Sequence, residues 1–461
     1  MATYRTPDVY IEEISVFPPS VAEVETAIPA FIGHTQQAVG VGGVGLRRRP
    51  TKIYSYTEYE QYFGGPDTPA IAVAVTTDAA GAVTALTVTP PLVTYLLAHA
   101  VKQYFDNGGG KCYIVAVAGY ADAIEEGTAT TGLLGGLAAV ALEDEPTLLV
   151  VPEAVRLNDA GYGNVCTATL LQCFTLKDRF AIFDMREGDV AKDGARLTAD
   201  RALFGNNNLR YGATYYPWLR TGMNHPVLAD ETNVDVALNG AGAVDLGTLR
   251  TSNTGVYNAV KAALRDHTIV MPPSGAVAGV YAATDTARGV WKAPANVSLN
   301  NVIEPMVRLD NARQDDLNVD ATSGKSINAL RSFAGKGTLV WGARTMAGND
   351  NEWRYVNVRR FFNMVEESVK KSTYWAVFEP NDANTWVKVR GMIENYLAQK
   401  WREGALAGAT PKDAFFVRCA LGQTMNAQDI LEGRMNVEIG MAVVRPAEFI
   451  ILKFSHKLQT S

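Results

Sequence analysis

The sequence has few of the residues that build metal centres and disulfide frameworks. Cysteine occurs four times and histidine five times in 461 residues, and neither type forms the closely spaced pairs that ligate zinc. Four scattered cysteines are also too few for a disulfide framework, which indicates folding in a reducing compartment. We therefore expect no metal site, and we expect the chain to be made and folded in a cytoplasm.

Long apolar runs and an excess of basic charge are both missing. No stretch reaches the ~20 apolar residues that cross a bilayer, and the start, Met1 to Glu13, lacks the basic and apolar regions of a secretory signal. The 42 basic residues are outnumbered by 48 acidic ones, for a formal charge of −6. Because proteins that bind nucleic acids usually carry a clustered basic excess, the sequence predicts neither a nucleic-acid partner nor direct insertion into a membrane.

Catalytic constellations are missing as well. No G-x-S-x-G nucleophile motif occurs. The adjacent carboxylates Glu12–Glu13 and Glu366–Glu367 point in different directions on a strand or a helix, so they are poor candidates for an acid/base couple. The sequence predicts no catalytic residue and no cofactor, and hence a protein that is not an enzyme.

Two glycine-rich loops leave one enzymatic alternative open. Residues 40–45 read Gly-Val-Gly-Gly-Val-Gly and match the dinucleotide-binding pattern G-x-G-x-x-G, but the following Arg47-Arg-Arg-Pro50 cannot begin a helix. Residues 107–111, Asn-Gly-Gly-Gly-Lys, resemble part of a phosphate-binding loop but lack its first glycine. The alternative function is therefore a nucleotide-binding α/β enzyme that uses these loops.

Apolar strands alternate with helices through the first two thirds of the sequence. Helical patterns separate short, unbroken apolar runs at 28–33, 112–117, 147–151 and 180–184. Unbroken apolarity is typical of parallel strands that are covered on both faces, and the alternation predicts an α/β fold with a parallel sheet. Two hairpins with glycine in their turns, at about 68–92 and 230–250, interrupt this pattern and are expected on the surface.

The last third follows a different pattern. A strand begins at Thr338, and amphipathic helices are predicted at 357–371 and 384–403. The second helix follows Asp382, a favourable N-cap residue, and ends at Gly404. These elements predict a separate α+β domain.

Motifs near both ends resemble those of contractile tail sheath proteins. At the start, Thr6-Pro-Asp-Val-Tyr-Ile-Glu-Glu is followed by Ile28-Pro-Ala-Phe-Ile-Gly-His-Thr and by Asn107-Gly-Gly-Gly-Lys-Cys-Tyr-Ile-Val. Later come Gly335-Lys-Gly-Thr-Leu-Val-Trp-Gly-Ala-Arg-Thr, Trp353-Arg-Tyr-Val-Asn-Val-Arg-Arg, Phe378-Glu-Pro-Asn-Asp, Trp401-Arg-Glu-Gly-Ala-Leu and Pro446-Ala-Glu-Phe-Ile-Ile. In this order they are typical of sheath subunits of contractile phage tails, R-type bacteriocins and phage-like injection systems.

The resemblance implies a multi-domain fold of the α/β plus α+β class. Its parts are an α/β outer portion, an inner α+β domain and extended N- and C-terminal β arms. On this sequence they correspond to an N-terminal arm at 1–22, an outer portion at 23–330, an inner sheath domain at 331–445 and a C-terminal strand arm at 446–461. We further expect the linker at about 15–25 to act as a tether of fixed reach between the N-terminal arm and the folded core.

The resemblance also implies two sets of contact residues. In the family both arms add a strand to a small sheet of neighbouring subunits, which assigns intersubunit contacts to Val9, Tyr10, Ile11, Glu12, Phe449, Ile450, Ile451 and Leu452. The helix at 384–403 has the position of the helix that grips the tube, which assigns tube-facing roles to Lys388, Gln399, Lys400, Arg402 and Glu403. Arms that fold back on their own subunit, and a helix face that is merely solvated, remain the alternatives.

The function that the resemblance implies is mechanical. The chain would polymerise as stacked hexameric rings around an inner tube, and the resulting sleeve would contract to drive the tube through a target cell envelope. Its partners would be further copies of itself, the inner tube protein, baseplate and terminal cap proteins and, as an open alternative, a sheath paralogue. The particle would be a phage tail or a phage tail-like particle, and whether it is released outside the cell or anchored at a membrane stays open.

Overall fold

The computed structural model describes residues 20–90, 92–225 and 231–451, which divide into two compact units. The large unit contains residues 25–364 and the segment from Arg445 onward, and the small unit contains residues 20–24 and Val365–Val444. The predicted inner domain at 331–445 therefore differs from the small unit, because residues 331–364 belong to the large one.

The described residues form strands and helices in the following order. The strands are β1 (Pro29–Gly33), β2 (Thr51–Ile53), β3 (Ile71–Thr77), β4 (Val83–Thr89), β5 (Cys112–Ala116), β6 (Leu148–Val150), β7 (Phe180–Asp184), β8 (Gly212–Tyr216), β9 (Leu219–Asn224), β10 (Val234–Leu238), β11 (Val244–Asp245), β12 (Thr268–Met271), β13 (Val297–Ser298), β14 (Val302–Pro305), β15 (Asn328–Phe333), β16 (Gly337–Val340), β17 (Phe415–Arg418) and β18 (Glu438–Met441). The α-helices are α1 (Tyr56–Phe63), α2 (Leu97–Asp106), α3 (Gly132–Val140), α4 (Asp159–Leu176), α5 (Gly194–Ala202), α6 (Leu246–Ser252), α7 (Thr254–Asp266), α8 (Ser274–Arg288), α9 (Asn311–Asn318), α10 (Val356–Ser372), α11 (Ala383–Arg402), α12 (Pro411–Ala414) and α13 (Ala427–Leu431).

The large unit is built on a nine-stranded sheet with the order β13-β16-β15-β8-β7-β6-β1-β5-β2. The strands from β15 through β8, β7, β6 and β1 to β5 run parallel, and antiparallel pairs with β2, β16 and β13 complete the two edges. Every residue of β5, β1, β6, β7 and β8 is buried. Helices therefore cover both faces of this sheet, and the predicted α/β fold is confirmed.

Strand pairing explains why the large unit extends beyond residue 330. β15 pairs in parallel with β8, where Asn328 lies opposite Tyr215, and β16 pairs with β15. In the sequence this strand pair precedes the two long helices and looks like the start of a new domain. The hydrogen bonds instead add it to the edge of the large sheet.

The two predicted hairpins are parts of one accessory sheet. β3 and β4 form the first hairpin, β10 and β11 form the second, and β10 pairs in parallel with β3 to give the order β11-β10-β3-β4. Buried residues of these strands and of α6 and α7 share a separate apolar core. The two insertions therefore build one additional structural layer from distant parts of the sequence.

The small unit combines the end of α10 with α11, α12, α13 and the strand pair β17–β18. The boundary between the units falls within α10. Asp382 caps α11 as predicted, because its carboxylate accepts a hydrogen bond from Thr385 N at 3.0 Å. Trp386, Cys419 and Met425 form a small buried cluster, and the apolar stripe of α11, including Val389, Ile393 and Leu397, is also buried.

Candidate assembly interface

The strands β17 and β18 form a two-stranded sheet, which we call the acceptor sheet. The N–H of Ala442 donates to the carbonyl of Ala414 at 2.8 Å, so the even-numbered residues of β18 direct their main-chain groups toward β17. Because these groups alternate in direction along an antiparallel strand, those of Ile439 and Met441 face the outer edge. Within the described residues this sheet has no third strand.

Such a sheet is a suitable receptor for an added strand. Two strands alone are marginally stable in water, and a third or fourth strand adds both hydrogen bonds and apolar contact. On one face of the acceptor sheet the ring of Phe416 packs against Gly440. A Cβ atom at residue 440 would lie only 2.2 Å from this ring, so the contact requires glycine. The guanidinium of Arg418 lies 4.4 Å from the centroid of that ring, so Phe416 is held across the strand that carries the open edge.

The root of the N-terminal arm, residues 20–24, is attached to the small unit. Val21 is buried, the N–H of Ala22 donates to Ser372 Oγ at 3.0 Å, and the N–H of Val24 donates to Ser368 Oγ at 3.0 Å. The two serines are one helical turn apart on α10. The second half of the predicted tether at about 15–25 is therefore attached to α10, because these serine side chains fix the backbone at Ala22 and Val24.

Ionic contacts strengthen both sides of this root. Glu23 forms an ion pair with Lys400 in the small unit. Glu25 forms one with Lys111 in the large unit. The predicted contact residues Val9, Tyr10, Ile11 and Glu12 lie outside the described residues.

The described part of the C-terminal segment carries a run of exposed apolar side chains. Phe449, Ile450 and Ile451 are 72%, 79% and 80% exposed; Leu452 lies outside the described residues. Three consecutive apolar residues at this exposure are costly in water and typical of a surface that a partner covers. They are the side chains that the sequence assigned to the C-terminal arm.

The helix α11 presents most, but not all, of its predicted tube-facing residues to solvent. Lys388, Gln399, Arg402 and Glu403 are exposed. Lys400 is only 4% exposed and is held by Glu23 and Glu403, so its assignment as a tube-facing residue is wrong. The reason was visible in the sequence, because Lys400 continues the 4-3-4 spacing of the buried residues Val389, Ile393 and Tyr396.

The two glycine-rich loops lack the geometry of phosphate-binding loops. Residues 107–111 follow the C-terminal end of α2 and lead into β5, so the nearby helix end exposes carbonyl groups rather than the amides that bind anions. Residues 40–45 contain a short 3-10 turn at Val41–Gly43 and are followed by β2 rather than by a helix. Neither loop supports the nucleotide-binding alternative.

The crevice where doubly wound sheets bind ligands is filled by a side chain of this protein. The chain passes from β1 to β5 on one side and returns to β6 on the other, so the strand order reverses between β1 and β6. Glu153, which is fully buried, lies at this point and accepts hydrogen bonds from His34 N at 2.9 Å and His34 Nδ1 at 2.6 Å. It also accepts bonds from Leu96 N at 3.1 Å and Leu97 N at 3.3 Å.

Glu153 thus places a carboxylate at the N-terminus of α2, where a bound anion would lie in a nucleotide-binding relative of this fold. Gly33 makes the approach possible, because a Cβ atom there would lie 3.0 Å from the carboxylate. Sequence reasoning missed this residue, since Pro152-Glu153 reads as the ordinary start of a helical turn. The crevice has a structural role, in which one carboxylate joins β1, β6 and α2.

Among the described residues, no group of three His, Cys, Asp or Glu side chains could hold a metal ion. In the same part of the chain, no helix is long and apolar enough to cross a membrane. Burial raises the pKa of all four cysteine thiols, and none is in a disulfide.

Comparison with known proteins identifies the family. Residues 226–346 match the model of the phage tail sheath protein central domain, and residues 348–457 match that of the phage tail sheath C-terminal domain. The tail sheath protein of Vibrio phage KVP40 is 25% identical over 366 residues, which cover 77% of this chain and 50% of that protein. The tail sheath protein of Enterobacteria phage T4 is 29% identical over 130 residues, which cover 28% of this chain and 19% of the T4 protein. This chain therefore spans about half the length of the Vibrio phage relative.

Solved structures cover the chain more completely. The sheath complex of an extracellular contractile injection system, PVC, in the contracted state is 30% identical with a TM-score of 0.66, and the match covers 99% of both chains. The helical sheath of the anti-feeding prophage (AFP) in the contracted state is 31% identical with a TM-score of 0.65, over 99% of this chain and 100% of that one. The chain belongs to the phage tail sheath family, a family of structural proteins.

Proposed function

We propose that this protein is the subunit of a contractile sheath that polymerises around an inner tube. One observation carries the proposal: among the described residues the acceptor sheet has an unpaired edge, and the same chain carries the exposed apolar run Phe449–Ile451. A subunit with both features can donate a strand to one copy and receive a strand from another. The similarity to the contracted PVC and AFP sheaths supports this reading.

Strand exchange is the proposed basis of polymerisation. An added strand gains main-chain hydrogen bonds along the open edge, while alternate side chains fix its register. Val9 and Ile11 would share one face of the N-terminal strand and Tyr10 and Glu12 the other, and Phe449 to Leu452 would supply the C-terminal strand. Because such contacts are head-to-tail, they propagate rings and helical filaments rather than closing a twofold dimer; stacked hexameric rings are the arrangement we propose.

The exposed face of α11 is the proposed tube contact. Lys388, Gln399, Arg402 and Glu403 remain in this set, and Gln399 Nε2 donates to Glu403 Oε1 at 3.1 Å. Exposed polar contacts are individually weak and are screened by salt. A grip of this kind holds the tube through many copies and can be released when the subunits move outward.

Contraction in this proposal consumes no cofactor or nucleotide. The free energy would be stored in subunit contacts during assembly and released when the sleeve shortens and drives the tube through a target envelope. The inner tube protein, a baseplate and a terminal cap are the proposed partners; one AFP baseplate structure is 31% identical to this chain with a TM-score of 0.64. We propose synthesis in the bacterial cytoplasm, followed by assembly into a phage tail or tail-like particle.

Negative-stain electron microscopy of the purified protein tests this function. We expect long hollow cylinders, because the donor and acceptor segments lie on one chain and no second component is needed to propagate the contact. Preparations that contain only compact particles at all concentrations would contradict the proposal. Single rings without stacking would favour a cap or baseplate component instead.

A further inference from the structure

The segment that begins at Arg445 belongs to the large unit, and the side chain of Glu448 binds it to that unit. The guanidinium of Arg344 binds the Glu448 carboxylate through two parallel hydrogen bonds, Nε to Oε1 at 2.7 Å and Nη2 to Oε2 at 2.6 Å. The hydroxyl of Tyr355 donates to Oε2 at 3.1 Å. Arg344 is buried and the Glu448 side chain is 21% exposed, so the contact is partly shielded from water, and its bidentate geometry makes it stronger than a typical surface ion pair.

Arg344 itself is fixed to the large sheet. Its Nη1 donates to the carbonyl of Asn318 at 3.2 Å. The side chain of Asn328 accepts from Arg344 N at 2.8 Å and donates to the Arg344 carbonyl at 2.8 Å, and it also donates to the carbonyl of Thr214 at 3.2 Å. These bonds tie the backbone at Arg344 to β8 and β15.

We propose that Arg344 and Tyr355 form a carboxylate clamp that anchors the C-terminal arm to its own subunit at Glu448. The side chains that follow, Phe449 to Ile451, are exposed, so the clamp marks the point where anchored chain ends and donor strand begins. This inference rests on the proposed function and specifies how the donor strand is held.

The clamp would protect the acceptor sheet of the same subunit. β18 ends at Met441, only seven residues before Glu448 in the sequence. Without an anchor at Glu448, tension on the donor strand would pull directly on the strand that carries the open edge. With the clamp closed, tension passes to the nine-stranded sheet through Arg344, and a subunit can donate and accept strands at the same time.

Limited chymotrypsin digestion of the unassembled subunit at Phe449, the residue after the clamp, tests the proposal. Glu448→Gln removes the charge but keeps the shape, and we expect cleavage to become about tenfold faster, because one charge-assisted contact that holds the segment is lost. Each rate is divided by that of a synthetic peptide with the same residue at 448, which removes the effect of the substitution on the protease itself. Glu187→Gln is the matched control: Glu187 pairs with Arg196 at 3.1 Å in an exposed position, and we expect no change in cleavage at Phe449. Equal normalised rates in wild type and E448Q would overturn the proposal.

A mixing experiment decides whether the clamp lies within one subunit. R344K and E448Q subunits are each expected to give sleeves several-fold shorter than wild type. In an equimolar mixture, a clamp within one subunit is broken in every copy and sleeves stay short. If Arg344 instead binds Glu448 of a neighbour, some contacts in the mixture join two unaltered residues, and longer sleeves than either variant gives alone would overturn the proposal.

These readouts separate the clamp from the function it serves. Wild-type protein that forms no sleeves would contradict the sheath function, while the cleavage rate at Phe449 would still report on the clamp. Wild-type sleeves together with unchanged sleeve length in both variants would contradict the clamp alone.

Discussion

Subunits that lack residues 1–19 are expected to stay folded and to form no sleeves. The deletion leaves the arm root intact, because Val21 remains buried and the bonds of Ala22 and Val24 to Ser372 and Ser368 are retained. It removes the donor strand, in which about three hydrogen bonds at ~1 kcal/mol each correspond to roughly a hundredfold loss of association per contact. Thermal unfolding and sedimentation measure the two effects separately.

Proline and alanine variants provide the control for this deletion. Val9→Pro with Ile11→Pro removes two main-chain donors, whereas alanine at the same positions keeps them and removes only side-chain volume. We expect the proline pair to behave like the deletion and the alanine pair to retain part of the assembly. Sleeves of normal length from the deleted subunit would show that the N-terminal arm does not connect subunits.

Replacing Glu153 by alanine is expected to cause the largest loss of stability. The change leaves the His34 ring and the N–H groups of His34, Leu96 and Leu97 without their shared acceptor in a fully buried site. Removing one partner of a buried charged network typically costs about 3–5 kcal/mol, which is a large part of the stability of an ordinary domain. Urea unfolding of the large unit measures the change.

The matched control is Glu125→Ala, which truncates the same side chain at an exposed position and should change the free energy of unfolding by less than about 0.5 kcal/mol. Glu153→Gln should fall between the two, because an amide oxygen can still accept some of the bonds. A loss below about 1 kcal/mol in E153A would mean that the carboxylate does not hold β1, β6 and α2 together.

The central sheet could be predicted because each of its inner strands is recognisable from the apolar residues of that strand alone. The residues of β1, β5, β6 and β7 are almost all apolar, with Asp184 at the end of β7 as the charged exception, and burial on both faces favours that composition. The joining of the two hairpins could not be predicted in this way, since the pairing of β10 with β3 connects segments about 160 residues apart, as Val234 opposite Ile71 shows. The same limit explains why the predicted boundary after residue 330 divides β15 and differs from the division between the two compact units within α10.

The candidate site was predicted to a different extent at each of its parts. The exposed run Phe449–Ile451 follows from the resemblance of the C-terminal motif, and its exposure agrees with a donor strand. Lys400 was assigned by polarity, although its spacing placed it on the buried face. Glu153 and the Arg344–Glu448 pair could not be predicted, because their partners lie 57 to 119 residues away and no local pattern distinguishes them from exposed charges.

A helical reconstruction of an assembled sleeve by electron cryomicroscopy shows directly which strands pair with the acceptor sheet. We expect β17 and β18 to be extended by strands from the arms of other subunits, including the segment after Glu448, while Glu448 itself stays bound to Arg344 of its own chain. A sleeve in which the acceptor sheet keeps only its own two strands, with both arms folded on the subunit they belong to, would contradict this expectation.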